Sequence, residues 1–353
     1  MTLLEHTLNY IAGKFVVDPE GHELRAVEML TDLFISTSVL FAFIITYVAT
    51  EWAIRKMKVR GIVVADVHKR NEAMVPGMGG VPVLIGYVAG ILFLSIPFIS
   101  LYTKLFSALT AILIVCLMGM IDDLLNLSQR TKAFLPLIAS VPIIIVLSGD
   151  RTLLIPLIGE LHVGVLYPLF LVPVGVAAAS NLTNLLAGLN GLEAGMGAIA
   201  MFSVLIAALI MGNTVGALAV APMVGALAAF LLFNKYPAKI LPGNSMTYAI
   251  GVVVASAVIL GDMEVIGVIC LFPYVVEFLI KARTLFRGSC FGKVNSDGTL
   301  SPRSTVESLT HVVMKMGRYT ERQVVMRLWL IEAIFGIVAI LVAYTSLYYQ
   351  LLR

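Results

Sequence analysis

Leu117-Met118-Gly119-Met120-Ile121-Asp122-Asp123-Leu124-Leu125-Asn126-Leu127-Ser128-Gln129-Arg130-Thr131-Lys132 decides how this chain is read. Two adjacent carboxylates close an apolar run over 103–121, and a lysine nine residues beyond the second of them opens the next run. A run of about 20 apolar residues has the length of one membrane crossing. Ionisable groups at its edge are expensive to desolvate, which makes them candidates for a functional site. On these residues alone, a solvated loop between two spans remains the competing reading.

The whole chain agrees with the first half of that reading. Its 353 residues are 59% hydrophobic and 13% charged, with a mean hydropathy of +0.98. Such a composition describes an all-α polytopic membrane protein, with the bilayer as its main solvent. The net charge of +3 carries no case for a nucleic-acid partner. Cys116, Cys270 and Cys290 have no CxxC spacing, so neither a disulfide framework nor a zinc site is indicated. No removable signal peptide is expected, and residues 1–28 suit a short interfacial segment.

Spans are expected near 29–50, 79–99, 103–121, 133–148, 163–180, 195–212, 214–233, 246–261, 265–281 and 324–348. These ten crossings form one integral-membrane unit, 1–353, with a long connection at 282–323. The distribution of lysine and arginine tests the count, because they collect in cytoplasmic loops. Eighteen lie in the odd-numbered connections and five in the even-numbered ones and the tails. Odd connections are therefore expected in the cytoplasm and both termini outside. The unusual polar groups then share one side: Asp66, His68 and Lys69, the Asp122–Asp123 pair, the asparagine-rich stretch 181–193, Asn244 and the basic loop.

Neighbouring aspartates on a helix point about 100° apart, which implies a division of labour. One suits a divalent ion, magnesium or manganese, bound together with phosphates; the other suits proton transfer or the orientation of Lys132. Lys132 is a compact point charge placed to meet a phosphate at the membrane surface. The stretch Ser180-Asn181-Leu182-Thr183-Asn184-Leu185-Leu186-Ala187-Gly188-Leu189-Asn190-Gly191-Leu192-Glu193-Ala194-Gly195 breaks an otherwise hydrophobic chain with amides and glycines. Amide groups ligate a hard cation through oxygen and read a sugar or base through donor and acceptor together. A glycine-rich connection capped by asparagines is the plainer reading. Val75-Pro76-Gly77-Met78-Gly79-Gly80 places pliable backbone just before a span, while Lys293 and Arg303 sit in a turn-rich basic loop with the character of a lid.

With those residues in view, the chain resembles the polyprenyl-phosphate N-acetylhexosamine-1-phosphate transferases, of the glycosyltransferase 4 type. Its strings at 122–127 and 184–195 look closest to the archaeal and eukaryotic dolichyl-phosphate N-acetylglucosamine-phosphotransferase branch. The resemblance implies transfer of a sugar 1-phosphate from a UDP-sugar to a membrane-embedded polyprenyl or dolichyl phosphate. UMP is released, Mg²⁺ (with Mn²⁺ an alternative) is required, and the first lipid-linked sugar of a glycan pathway is made. By motif position, it implies that Asp122, Asp123 and Lys132 are catalytic and that Asn184 and Asn244 are metal ligands. Lys69, Gly79, Asn181, Asn190, Glu193, Lys293 and Arg303 would bind substrate. One departure stands out: Asn244 occupies a position where the family usually carries an aspartate. The missing histidine-rich loop argues against a muramyl-pentapeptide substrate. An archaeal cell membrane is the expected location, the endoplasmic reticulum if the source is eukaryotic, and a homodimer is compatible with the resemblance. A lipid or solute transporter is the alternative function, and it would call for mid-span polar residues and repeat symmetry that the sequence lacks.

Overall fold

A computed structural model describes residues 22–68, 73–147, 152–155, 159–303 and 305–351. Lys69 and most of the expected interfacial segment lie outside the described residues. The helices are α1 (His22–Val59), α2 (Gly80–Ser95), α3 (Tyr102–Leu125), the three short pieces α4 (Gln129–Phe134), α5 (Pro136–Ala139) and α6 (Val141–Val146), then α7 (Val172–Leu185), α8 (Leu192–Ile210), α9 (Thr214–Asn234), α10 (Gly243–Leu260), α11 (Glu264–Cys270), α12 (Phe272–Ala282), α13 (Leu309–Lys315) and α14 (Glu321–Leu351).

Among the described residues, eight helical segments are long and apolar enough to cross a membrane. The pair α11 and α12, bent by 58° at Leu271, makes a ninth if counted as one span. The 16-residue α2 falls where the remaining expected crossing was placed. Pro136, Pro142 and Pro273, each in the first turn of its piece, fit the fragmentation, since proline removes a backbone donor and is best tolerated in a first helical turn.

The all-α expectation holds for the membrane-spanning part and needs an addition outside it. Two antiparallel hairpins, β1 (Val63–Ala65) with β2 (Met74–Pro76) and β3 (Thr152–Ile155) with β4 (Gly159–His162), occupy connections. A three-stranded sheet, β5 (Lys293–Val294), β6 (Thr299–Ser301) and β7 (Tyr319–Thr320), organises the long loop. Short ladders of this size have no hydrophobic periodicity long enough to register in a sequence.

α10 is the centre of the bundle; almost every residue from Ser245 to Leu260 is buried. α3 crosses it at Gly119, where an added Cβ would lie 2.5 Å from Ser245 Cα and 2.7 Å from Asn244 C. A side chain there cannot be accommodated without moving backbone, so this glycine brings the end of α3 against the start of α10. That crossing positions the site.

Candidate active site

Asp122 and Asp123 occupy the last turn of α3, where carboxylates oppose the negative end of the helix dipole. They remain there because neighbouring groups compensate. Asp122 is 1% exposed and accepts three contacts: Lys132 Nζ at 2.8 Å, Leu127 N–H at 2.9 Å and Asn244 Nδ2 at 2.9 Å. Asp123 takes the backbone N–H of Asn244 on both carboxylate oxygens, at 2.9 and 3.1 Å. The turn that offers this N–H begins at Gly243, whose φ of +71° and whose open Cα, with Asp123 Oδ2 2.5 Å from a would-be Cβ, exclude any other residue.

The two carboxylates have different surroundings, and it is Asp122 that orients Lys132. Asp123 lines a cavity of about 720 Å³ and Asp122 does not. Lys132, expected to meet a phosphate, is instead paired with Asp122 and absent from the cavity wall. That one of the two aspartates orients it was legible from the sequence, but not which.

α7 supplies the opposite wall. Asn184 accepts the Thr247 hydroxyl at 2.6 Å, and Thr183 donates to the Thr247 carbonyl at 2.7 Å, so the end of α7 is fixed to α10. The loop after it is shaped by Glu193, which accepts Gly188 N–H at 2.6 Å. Asn190 is held from every side: Nδ2 donates to Asp66 at 3.2 Å, Oδ1 accepts Ala238 N–H at 2.6 Å, and its own N–H donates to Glu321 at 2.7 Å. Asp66, Asn184, Asn190, Glu193 and Asn244 all line the same cavity as Asp123. The structure thus gathers residues from four distant connections.

Other expectations change. Gly77 and Met78 line the cavity, but Gly79 packs under Phe230 and gives its N–H to the Leu241 carbonyl at 2.9 Å, so its amide is already engaged. Asn181 donates to Ala177 within its own helix and does not reach the cavity wall. Lys293 and Arg303 are exposed, Lys293 on the β5 ladder, and neither lines the cavity. Missed by sequence reasoning were Thr247, Lys281 and Cys290, all lining residues. Burial pushes the Cys290 thiol up, with Glu277 adding to the effect, so it is an unreactive thiol near neutral pH.

Asp66, His68 and Glu321 bring ligand-type atoms within 4.8 Å of one another. His68 Nε2, however, accepts Gly292 N–H at 3.2 Å. In the neutral ring that assigns the proton to Nδ1, which faces Glu321 at 3.9 Å. The group reads as a strut between the first connection, the long loop and α14.

A second depression is walled by three of the same helices. It is an apolar groove of about 290 Å³ between α7, α10 and the bent pair, lined by Leu171, Val172, Gly175, Val254, Val258 and Val275 among others. The Tyr167 hydroxyl donates to the Glu264 carboxylate and closes its far end.

Residues 105–262 match the family model described as glycosyl transferase family 4. A protein of Saccharolobus solfataricus with the provisional name UDP-N-acetylglucosamine–dolichyl-phosphate N-acetylglucosaminephosphotransferase is 39% identical over 311 residues, covering 88% of this chain and 97% of that one. This chain belongs to glycosyl transferase family 4. A Sulfolobus acidocaldarius family member with the same provisional name is 37% identical over 86% of this chain and 94% of its own. The Schizosaccharomyces pombe UDP-N-acetylglucosamine–dolichyl-phosphate N-acetylglucosaminephosphotransferase is 24% identical over 64% of this chain and 62% of its own. Family membership also makes this an integral membrane protein of a sugar-transfer type, in keeping with its apolar helices.

Proposed function

We propose that this protein transfers N-acetylglucosamine 1-phosphate from UDP-N-acetylglucosamine to a dolichyl-type polyprenyl phosphate, releasing UMP and forming the first lipid-linked sugar of a glycan. The names of the archaeal and yeast relatives support the substrates. The observation that carries the reading is a polar cavity and an apolar groove walled by the same helices, α7, α10 and α12, with Asp123 at the cavity wall. Such a pairing suits a reaction between a water-soluble donor and a lipid acceptor.

The cavity holds the nucleotide sugar and the groove holds the start of the polyprenyl chain. Asp123, Asn184 and Asn244 offer one carboxylate and two amide oxygens, a hard donor set that fits Mg²⁺ carried in with substrate phosphates. When bound, the ion neutralises negative charge on the diphosphate. Asn244 at the family's aspartate position is explained by its partner: its Nδ2 donates to Asp122 at 2.9 Å, where a third carboxylate would face repulsion. The cost is one unit of charge toward the metal.

An ionised oxygen of the acceptor phosphate attacks the sugar-bearing phosphorus, and the bond from that phosphorus to the UMP oxygen breaks. The acceptor is already ionised near neutral pH, so the protein's task is placement and charge balance. Asp122, fully paired, is a positioning residue that fixes the end of α3; Asp123 is the catalytic carboxylate. The cavity opens on the cytoplasmic face of the cell membrane of a prokaryote, most consistently an archaeon, in keeping with the positive loops.

Purified protein incubated with labelled UDP-N-acetylglucosamine, polyprenyl phosphate and Mg²⁺ is expected to give labelled lipid and equimolar UMP. Absence of UMP with every lipid phosphate offered would refute the transferase reading, and a panel of UDP-sugars fixes the donor.

A further inference from the structure

Lys281 is the only lysine or arginine among the described residues lining the cavity. The other ionisable groups on that wall include Asp66, Asp123 and Glu193, so the lining as built is acidic and ill-suited to a phosphate without a cation. Lys132, the other basic candidate near the acid pair, is spent on Asp122. Lys281 sits one residue from the end of α12, six residues after Val275, which lines the apolar groove. The same helix therefore runs from the groove to the cavity.

The ammonium is buried, 8% exposed as a residue, and two contacts orient it. It donates to the Leu185 carbonyl, next to Asn184, and lies 3.4 Å from Glu277 Oε1. Glu277 is fixed in turn by Ser308 Oγ at 3.0 Å and Leu309 N–H at 2.6 Å. An ammonium has three donors and no acceptor. With two directed at protein groups, the third is available to the cavity that Lys281 lines.

We propose that Lys281 binds a phosphate oxygen of substrate, resting on the transferase reading above. Two phosphate sources share this chemistry, the acceptor lipid phosphate and the donor diphosphate. Its place on the helix whose Val275 lines the groove favours the acceptor.

Steady-state kinetics of Lys281→Gln against both substrates tests this, with thermal stability followed in parallel. Glutamine keeps a donor for the Leu185 carbonyl and removes the charge. The expected result is a KM raised about tenfold for polyprenyl phosphate, equivalent to one charge-assisted hydrogen bond, with melting temperature nearly unchanged. A rise confined to the UDP-sugar assigns the donor diphosphate instead. Lys281→Arg moves the charge outward on a planar head and is expected to raise the same KM two- to fivefold; it carries the test if the glutamine variant does not fold. Both KM values unchanged, with only stability reduced, would make Lys281 a mere tie between α12 and α7. A wild type inactive with all lipid phosphates sinks the transferase reading itself, a different outcome from an active wild type with indifferent Lys281 variants.

Discussion

The cavity and the groove are walled by the same helices, yet one is polar and the other almost wholly apolar. On α7 the change occurs between Leu182 and Asn184, on α10 between Val254 and Thr247, and on α12 between Val275 and Lys281. About half a turn on α7 and somewhat under two turns on α10 and α12 separate the two environments. The family chemistry requires this contrast, since a donor soluble in water must meet an acceptor whose chain stays in hydrocarbon. It also shows that a helix need not be amphipathic around its circumference to be functional; here it is amphipathic along its length.

The strongest way to break the comparison is to remove the charge at the cavity end. Asp123→Asn is expected to lower turnover by about a hundredfold or more, the scale of losing one preorganised electrostatic group, while the melting temperature changes little. Its neighbour sharpens the point. Asp122→Asn leaves the Lys132 ammonium without its buried counter-charge, and a fall in stability of about 3 kcal/mol is expected, read as a lowered melting temperature and accompanied by reduced activity. If the two variants behaved alike in stability, the separation of catalytic from positioning carboxylate would be wrong.

A smaller effect is expected in the groove. Gly175 lines it and has nothing within 4 Å of a would-be Cβ, so Gly175→Leu fills groove space without disturbing the bundle. The KM for a long polyprenyl phosphate should rise about fivefold, on the scale of about one lost apolar contact, while a short-chain, water-soluble analogue is used as before. Equal effects on both acceptors would detach the groove from the lipid chain.

The smallest effect belongs to a region outside both. Thr299 donates its hydroxyl at 2.6 Å and its N–H at 3.0 Å to Asp297, and Arg318 lies 2.9 Å away. These contacts hold the Asp297 carboxyl below its ordinary value, the hydrogen bonds more than the arginine. A group depressed in the folded state contributes stability above its unfolded pKa and loses it as pH falls through the folded one. Protease sensitivity of the β5–β6 hairpin should therefore rise only in acid, below the ordinary carboxylate range. Turnover of Asp297→Asn at neutral pH should stay within about twofold of wild type, with any larger change bringing the hairpin into the site.

Much of this was legible in the chain itself. Apolar length gives the spans, and the cost of placing Asp122 and Asp123 at a span's edge flags the site without any coordinates. Asn184, Asn190 and Glu193 were visible for the same reason: polar groups in a hydrophobic context need an explanation. Pairing was not legible. That Gly79 spends its amide on Leu241 and that Asn244 donates to Asp122 depend on contacts between segments far apart in sequence, and which aspartate takes Lys132 depends on how α3 ends. The pairing of Lys281 with Glu277, and the cavity that Lys281 lines, were equally hidden, because both depend on where α12 ends up after the bend. Lys293 and Arg303 misled in the other direction, since a basic, glycine-rich loop reads the same whether it folds over a ligand or, as here, displays its cations outward.

The bend at Leu271 has a kinetic consequence. It parts α11 from α12 at the flank of the bundle, where Val268 and Phe272 are exposed, and on the proposed function an acceptor entering there is expected to come in sideways from the surrounding leaflet. Encounter then takes place in two dimensions. Rates in vesicles should follow the mole fraction of acceptor among the lipids, and diluting the vesicles in buffer at fixed lipid composition should leave them unaltered.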